Sequence, residues 1–143
     1  MRKHSISATS LILASACLFT VWSCHRAKPN PQEHEAERAN QVYKLYRTAD
    51  YATARPALVD YAQQLDKLVT SGPPDDAEAN KSDLMVTYVR LAKLEEKNKG
   101  FDKDAFMKQA VTKCQQLRIK WGQCSEQELR ERVDRLDTVS PKP

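Results

Sequence analysis

The sequence predicts an all-α fold: two stacked αα-hairpins plus a C-terminal capping helix, after an export-type leader and a short tether. Three observations carry that prediction. Apolar residues recur at three- and four-residue steps in the segments beyond residue 33, the signature of one-sided helices. No segment alternates apolar and polar residues as a half-buried strand would. The 143 residues contain three glycines, Gly72, Gly100 and Gly122, and each falls just past a segment with helical spacing. A glycine at that place is expected to take a left-handed conformation and end the helix.

The first helix is expected over 33–48, where Ala36, Ala39, Val42, Tyr43 and Tyr46 share a face. The second is expected over 54–70. Thr53 is its candidate N-cap, Pro56 falls in its first turn where a missing N–H costs little, and Ala54, Leu58, Tyr61, Leu65 and Leu68 form its stripe. Gly72-Pro73-Pro74-Asp75-Asp76 breaks the chain. Asp75 followed by Glu78 then opens a third helix, 76–98, with Leu84, Met85, Tyr88, Leu91 and Ala92 facing inward and Glu95 and Glu96 in a solvated end. A fourth, 102–119, presents Phe106, Ala110, Cys114 and Leu117. The fifth, 126–137, starts at a capping box in which Ser125 accepts and Glu128 reaches back, and buries Leu129, Val133 and Leu136. Neither hairpin can bury its apolar face alone, so the two are expected to stack.

Composition narrows the function classes. Charged residues are 29% of the chain and aromatics 7%, which fits a soluble helical domain and excludes a polytopic membrane protein. The formal charge is +4, but residues 1–23 hold Arg2 and Lys3 and no acid, leaving 21 basic and 19 acidic groups in 24–143. Such a balance supplies no sustained cationic field, and nucleic-acid binding is not expected.

The leader "MRKHSISATSLILASACLFTVWSC" has a basic start, an apolar stretch over 8–22 and the small residue Ser23. That order is an export signal; the stretch is too short and too interrupted by Ser10, Ser15 and Thr20 to span a bilayer, which takes about 20 apolar residues. Val21-Trp22-Ser23-Cys24 resembles a bacterial lipobox, with an aliphatic residue at −3 and a small one at −1 before a cysteine. It departs at −2, where Trp22 stands in place of a small residue. The resemblance implies that Cys24 is acylated with fatty chains such as palmitate, becomes the mature N-terminus and anchors the chain to the membrane. With His25 rather than aspartate at +2, it also implies the periplasmic face of the outer membrane in a two-membrane cell. Ala14-Ser15-Ala16-Cys17 is a competing cut that leaves only a brief apolar region. The expected division is a signal peptide over 1–23, a polar tether with Pro29 and Pro31 over 24–33, a helical domain over 34–137 and a tail over 138–143. His25 and His34, nine residues apart, read as solvated residues beside that tether and not as metal ligands.

Around the first turn, Tyr51, Ala54 and Leu58 resemble the joint of a tetratricopeptide repeat. The similarity covers about one hairpin; the motif's earlier tryptophan, leucine and glycine positions are unmatched, and hairpins about 50 residues apart miss the 34-residue period.

Cys114 and Cys124 remain in the domain, and an even pair in an exported chain suggests a disulfide. The alternative is two reduced core cysteines, or one buried and one exposed. No C-x-x-C motif points to redox catalysis, and Trp121 is expected to pack on this corner. Candidate chemistry is sparse. From Glu35 onward there is no histidine, which removes histidine-dependent nucleophiles and zinc sites, and no glycine-rich loop cradles a phosphate. No catalytic residue, metal or cofactor is expected. Tyr43, Tyr46 and Tyr51 form the candidate interaction surface for a protein partner, because tyrosine offers apolar area together with a hydroxyl. Two other readings stay open: a cell-wall glycan enzyme using one carboxylate with a raised pKa, and a carrier with an apolar pocket between the hairpins.

Overall fold

A computed structural model describes residues 31–72, 77–119 and 122–139. Among these residues the chain forms five α-helices and no strand: α1 (Pro31–Thr48), α2 (Tyr51–Ser71), α3 (Ala77–Asn98), α4 (Lys103–Gln116) and α5 (Glu126–Val139). The fold is all-α, two helical hairpins followed by a C-terminal helix. The leader with Cys17 and Cys24, most of the tether, Asp75, Trp121 and the end of the tail lie outside the described residues. Several expected borders shift: α2 opens at Tyr51 rather than 54, and α4 closes at Gln116 rather than 119. Pro31, which has no N–H to leave unpaired, opens α1, so 31–33 belong to a helix and His34 stands exposed on it. At the other end α5 continues to Val139, past the expected limit at 137.

Local chemistry explains where the helices start and stop. The N-cap of α2 is Asp50, not Thr53: Asp50 is extended, and its carboxylate accepts the Thr53 N–H at 2.8 Å. Pro56 therefore lies in the second turn, where its ring leaves the Ala52 carbonyl without the usual i→i−4 donor. The glycine expectation also needs correction. Gly72 is extended (φ −80°, ψ 172°), and the left-handed residues behind α3 and α4 are Lys99 (φ 55°) and Arg118 (φ 51°). Both ends are Schellman motifs. After α3, Gly100 N–H bonds the Glu95 carbonyl at 2.8 Å and Lys99 N–H that of Glu96 at 3.3 Å. After α4, Ile119 N–H reaches Cys114 and Arg118 N–H reaches Gln115. Of the three glycines only Gly122 is left-handed (φ 99°). The cap of α5 follows the expectation by half. Ser125 Oγ accepts the Glu128 N–H at 3.3 Å, but the Glu128 carboxylate accepts from Gln123 N–H at 2.7 Å.

α3 is the central element and is buried on both flanks. Toward α2, Leu84, Leu91 and Leu94 pack with Leu58, Tyr61, Ala62 and Leu65. Toward α4 and α5, Met85, Val89 and Ala92 pack with Met107, Ala110, Cys114, Leu129 and Val133. The expected stripes of α2 and α4 point inward, but the outermost members elsewhere do not: Ala36 is exposed and Leu136 is 42% exposed. Contacts fix the directions. Tyr43 meets Arg90, and Tyr46, Arg47, Lys93 and Lys97 surround one pocket, so α1 runs parallel to α3. Arg130, Asp134 and Asp137 of α5 meet Glu96, Lys93 and Arg90 in reverse order, so α5 runs against α3. Cys114 and Cys124 stand at disulfide distance, with Cα atoms 5.7 Å apart, and both are buried.

Candidate functional site

Two polar clusters stand out, one at the end of the bundle that carries the α1–α2 and α3–α4 turns and one nearer its middle, around Arg90. The first is built around a buried glutamate. Glu95 occupies the last full turn of α3, on the face shared by Leu91 and Ala92, and is 1% exposed. Its Oε1 accepts the Tyr51 hydroxyl at 2.8 Å and Arg55 Nε at 2.6 Å, both from the first turns of α2. Arg55 Nη2 also bonds Asp102 Oδ2, and its guanidinium lies 5.7 Å from the Phe106 ring centroid. Burial raises the Glu95 pKa, but hydrogen bonds from Arg55 and Tyr51, the Arg55 charge and the Asp102 backbone N–H together outweigh it. The carboxyl is held below the ordinary carboxylate value. The same contacts raise the Tyr51 hydroxyl, through desolvation first and the Glu95 bond second.

The fit around Glu95 is close. A Cβ added to Gly100 would lie 1.7 Å from Glu95 Oε2 and 3.1 Å from the Tyr51 hydroxyl. Gly100 is there for space, since the left-handed residue is its neighbour Lys99. The expectation that Glu95 and Glu96 form a solvated end holds for Glu96 alone. Glu96 is exposed and pairs with Arg130 at 2.8 Å and Lys103 at 3.3 Å.

The second cluster joins α1, α3 and α5. Tyr43 and Tyr46 stack with ring centroids 6.3 Å apart and planes 27° apart. The Arg90 guanidinium lies 4.2 Å from the Tyr43 centroid and 5.6 Å from that of Tyr46. Arg90 donates from Nε and Nη2 to Asp137 Oδ1 at 3.1 and 2.7 Å, while Arg47 donates to the Tyr43 hydroxyl at 2.6 Å and the Asp137 carbonyl at 2.8 Å. Lys93 pairs with Asp134 at 2.5 Å and approaches Asp137 Oδ2 at 3.5 Å. That oxygen is buried without a hydrogen bond. Burial raises the Tyr46 hydroxyl against the opposing charge of Lys93.

Of the three tyrosines singled out from sequence, then, the structure brings Tyr43 and Tyr46 together and puts Tyr51 in the other cluster. Each already engages the protein's own charged groups. Beside Tyr46 a pocket of about 230 Å³ is lined by Arg47, Lys93, Leu94 and Lys97. A shallow groove of about 380 Å³ lies between α1 and α2, with Val42, Leu45 and Ala57 among polar neighbours. Sequence reasoning missed Glu95, Arg55 and Asp137 because their partners are 40 to 47 residues away in the chain. One sign was readable: Glu95 is spaced at i+4 from Leu91 and i+7 from Tyr88, which puts it on the apolar stripe. Among the described residues no group of histidine, cysteine and carboxylate side chains could hold a metal ion, and no helix is long and apolar enough to cross a membrane. No family model, no curated protein and no solved structure matches this chain.

Proposed function

We propose that the chain is a small exported lipoprotein, acylated on Cys24 and held in the cell envelope, whose helical domain is a non-enzymatic scaffold for a protein partner. In a two-membrane cell it faces the periplasm from the outer membrane. One observation carries the reading: a basic start and a short apolar stretch end on Val21-Trp22-Ser23-Cys24, and a proline-containing polar segment leads from there to the domain. The thiol carries a diacylglyceryl thioether. Each buried methylene contributes about 0.8 kcal/mol, so several chains hold where one is marginal. The cysteine pair at disulfide distance supports the same address, because such bonds persist in oxidising compartments.

The carboxylates favour a scaffold over a glycan enzyme. A lone catalytic glutamate needs a raised pKa and a substrate cleft, whereas Glu95 is lowered and engaged by Arg55 and Tyr51. Desolvation does raise the carboxyl of Asp83, but the cavity beside it is about 40 Å³, with room for one or two waters and no sugar. The seam between the hairpins is filled by Leu58, Leu65, Leu84 and Leu91, which disfavours a carrier.

The test is metabolic labelling with an alkyne fatty acid, followed by mass spectrometry of the membrane fraction. Label on the N-terminal peptide beginning at Cys24, lost in Cys24→Ser, is the expected result. A freely soluble product that begins at residue 24 with an unmodified sulfur overturns the anchoring.

A further inference from the structure

We infer that Phe101 is a rigid docking knob that inserts into an apolar, acid-rimmed pocket on a partner protein; the inference deepens the scaffold reading and rests on it. Phe101 is 103% exposed, against 42% for Leu136 and 84% for Val139 in the last turn of α5. A single exposed apolar residue usually needs no explanation. This one is unusual because both of its neighbours are tied down. Gly100 N–H bonds the Glu95 carbonyl at 2.8 Å, and Gly100 has no room for a Cβ beside the Glu95 carboxylate. On the other side Asp102 is held by Arg55, and its carbonyl accepts the Phe106 N–H at 3.0 Å. The Glu95 cluster therefore fixes the turn from below, and the phenyl ring is the one side chain between the clamps that touches none of it. Holding an aromatic anchor in place before binding removes the ordering cost that a mobile loop would pay, which suits a hot spot.

Charge and position choose the partner. Lys99, two residues before the knob, carries no ion pair among the described residues, while Glu96, Asp102 and Lys103 neutralise one another or are paired with Arg55 and Arg130. Asp104 sits in the first turn of α4, where the helix dipole accommodates it. A free lysine beside an aromatic calls for an acidic group at the rim of the receiving pocket. A bilayer is the alternative receiver, but the knob is at the wrong end for it. α1 runs parallel to α3, so Phe101 lies beyond the C-terminal end of α1, about 27 Å along an 18-residue helix from the end where the tether from Cys24 enters. A chain anchored at Cys24 presents Phe101 away from its own membrane.

The experiment uses the full chain in native membranes, with p-benzoylphenylalanine at position 101 or, as a control, at exposed Gln63 of α2. Irradiation is expected to give one protein adduct from position 101 and none from 63. The captured protein, identified by mass spectrometry and purified, should bind the full chain about thirtyfold more weakly after Phe101→Ser, equivalent to about 2 kcal/mol at 1.4 kcal/mol per decade. Lys99→Gln, which removes the charge without reversing it, should also weaken binding, and the thermal midpoint should not move in Phe101→Ser. A lipid adduct alone assigns the knob to a membrane, an adduct with a second copy assigns it to self-association, and equal adducts at 63 or an unchanged affinity remove the site. Each of these overturns the inference. Acyl label on Cys24 is read from the same membranes, so loss of the anchor is recognised independently of the crosslink.

Discussion

Glu95→Gln isolates the charge of the buried carboxylate with little change of shape. Glutamine keeps an oxygen that can accept from Tyr51 Oη and Arg55 Nε, now 2.8 and 2.6 Å away, but it removes the charge that strengthens both bonds. A hydrogen bond to a charged group contributes about 1.5–3 kcal/mol, and breaking a fully buried ion pair costs about 3–5 kcal/mol. The full cost does not apply here. The Arg55 side chain is 32% exposed and keeps Asp102, so solvent and the second carboxylate compensate it. The expected loss is about 2 kcal/mol, which for a domain of about 100 residues lowers the thermal midpoint by about 8–16 °C.

Urea unfolding of parent and variant at a series of pH values is the assay. The Glu95 pKa is depressed in the folded state, so its stabilisation is fully present above the unfolded value, about 4.3, and is lost as pH falls through the folded value. The parent should lose more stability on acidification than the variant, and the gap between them should close below about pH 4. Other lowered carboxyls, Glu96 among them, titrate in both proteins and cancel in the difference. A variant within about 0.5 kcal/mol of the parent at neutral pH, or a gap that stays constant or widens in acid, refutes the reasoning.

Gly100→Ala should cost about 1–3 kcal/mol, because its Cβ forces the Glu95 carboxylate out of place, and much less in a Glu95→Ala background; a double-mutant cycle by urea unfolding reads this coupling, and additive effects would contradict it. Replacing both Cys114 and Cys124 by serine should destabilise the oxidised protein by about 2.7 kcal/mol on the loop-entropy relation, with the serines adding to this because both sites are buried. Two freely alkylated domain cysteines in the denatured, unreduced protein would rule out the bond.

The helices were legible in the sequence because their chemistry is local. Apolar residues at i, i+3 and i+4 gave α2 its inward face from Ala54 to Leu65, and Ser125 with Glu128 marked the start of α5. The turns were legible in place but not in conformation. Gly72, Gly100 and Gly122 each mark a break, yet the left-handed positions that close α3 and α4 go to Lys99 and Arg118, because the Schellman geometry is met one residue before Gly100 and four before Gly122. The polar clusters were not legible. Adjacent residues on a helix point about 100° apart, so Glu95 and Glu96 have opposite fates; spacing from Tyr88 and Leu91 puts Glu95 on the apolar stripe, but its partner Arg55 lies 40 residues away. The tyrosines show the same limit, since only the packing of α2 on α3 separates Tyr51 from Tyr43 and Tyr46.

Asp102 shows what the Glu95 cluster is for. It occupies the N-cap of α4, the place where an aspartate ordinarily accepts a helix N–H and stabilises by about 1 kcal/mol. Here its side chain makes no cap hydrogen bond, and its backbone (φ −93°, ψ 6°) departs from the extended geometry of such caps. The carboxylate turns to Arg55 instead. A locally stabilising contact is thus given up for a tie to a helix 47 residues earlier in the chain. A well-packed apolar group in place of the buried Glu95–Arg55 pair could stabilise the bundle as well or better. What an apolar substitute lacks is direction: it would not draw Asp102 toward α2, or leave the Gly100 backbone pressed against the carboxylate. The charged bond to Arg55 offsets the lost α4 cap, and it also fixes the path of the backbone on either side of Phe101.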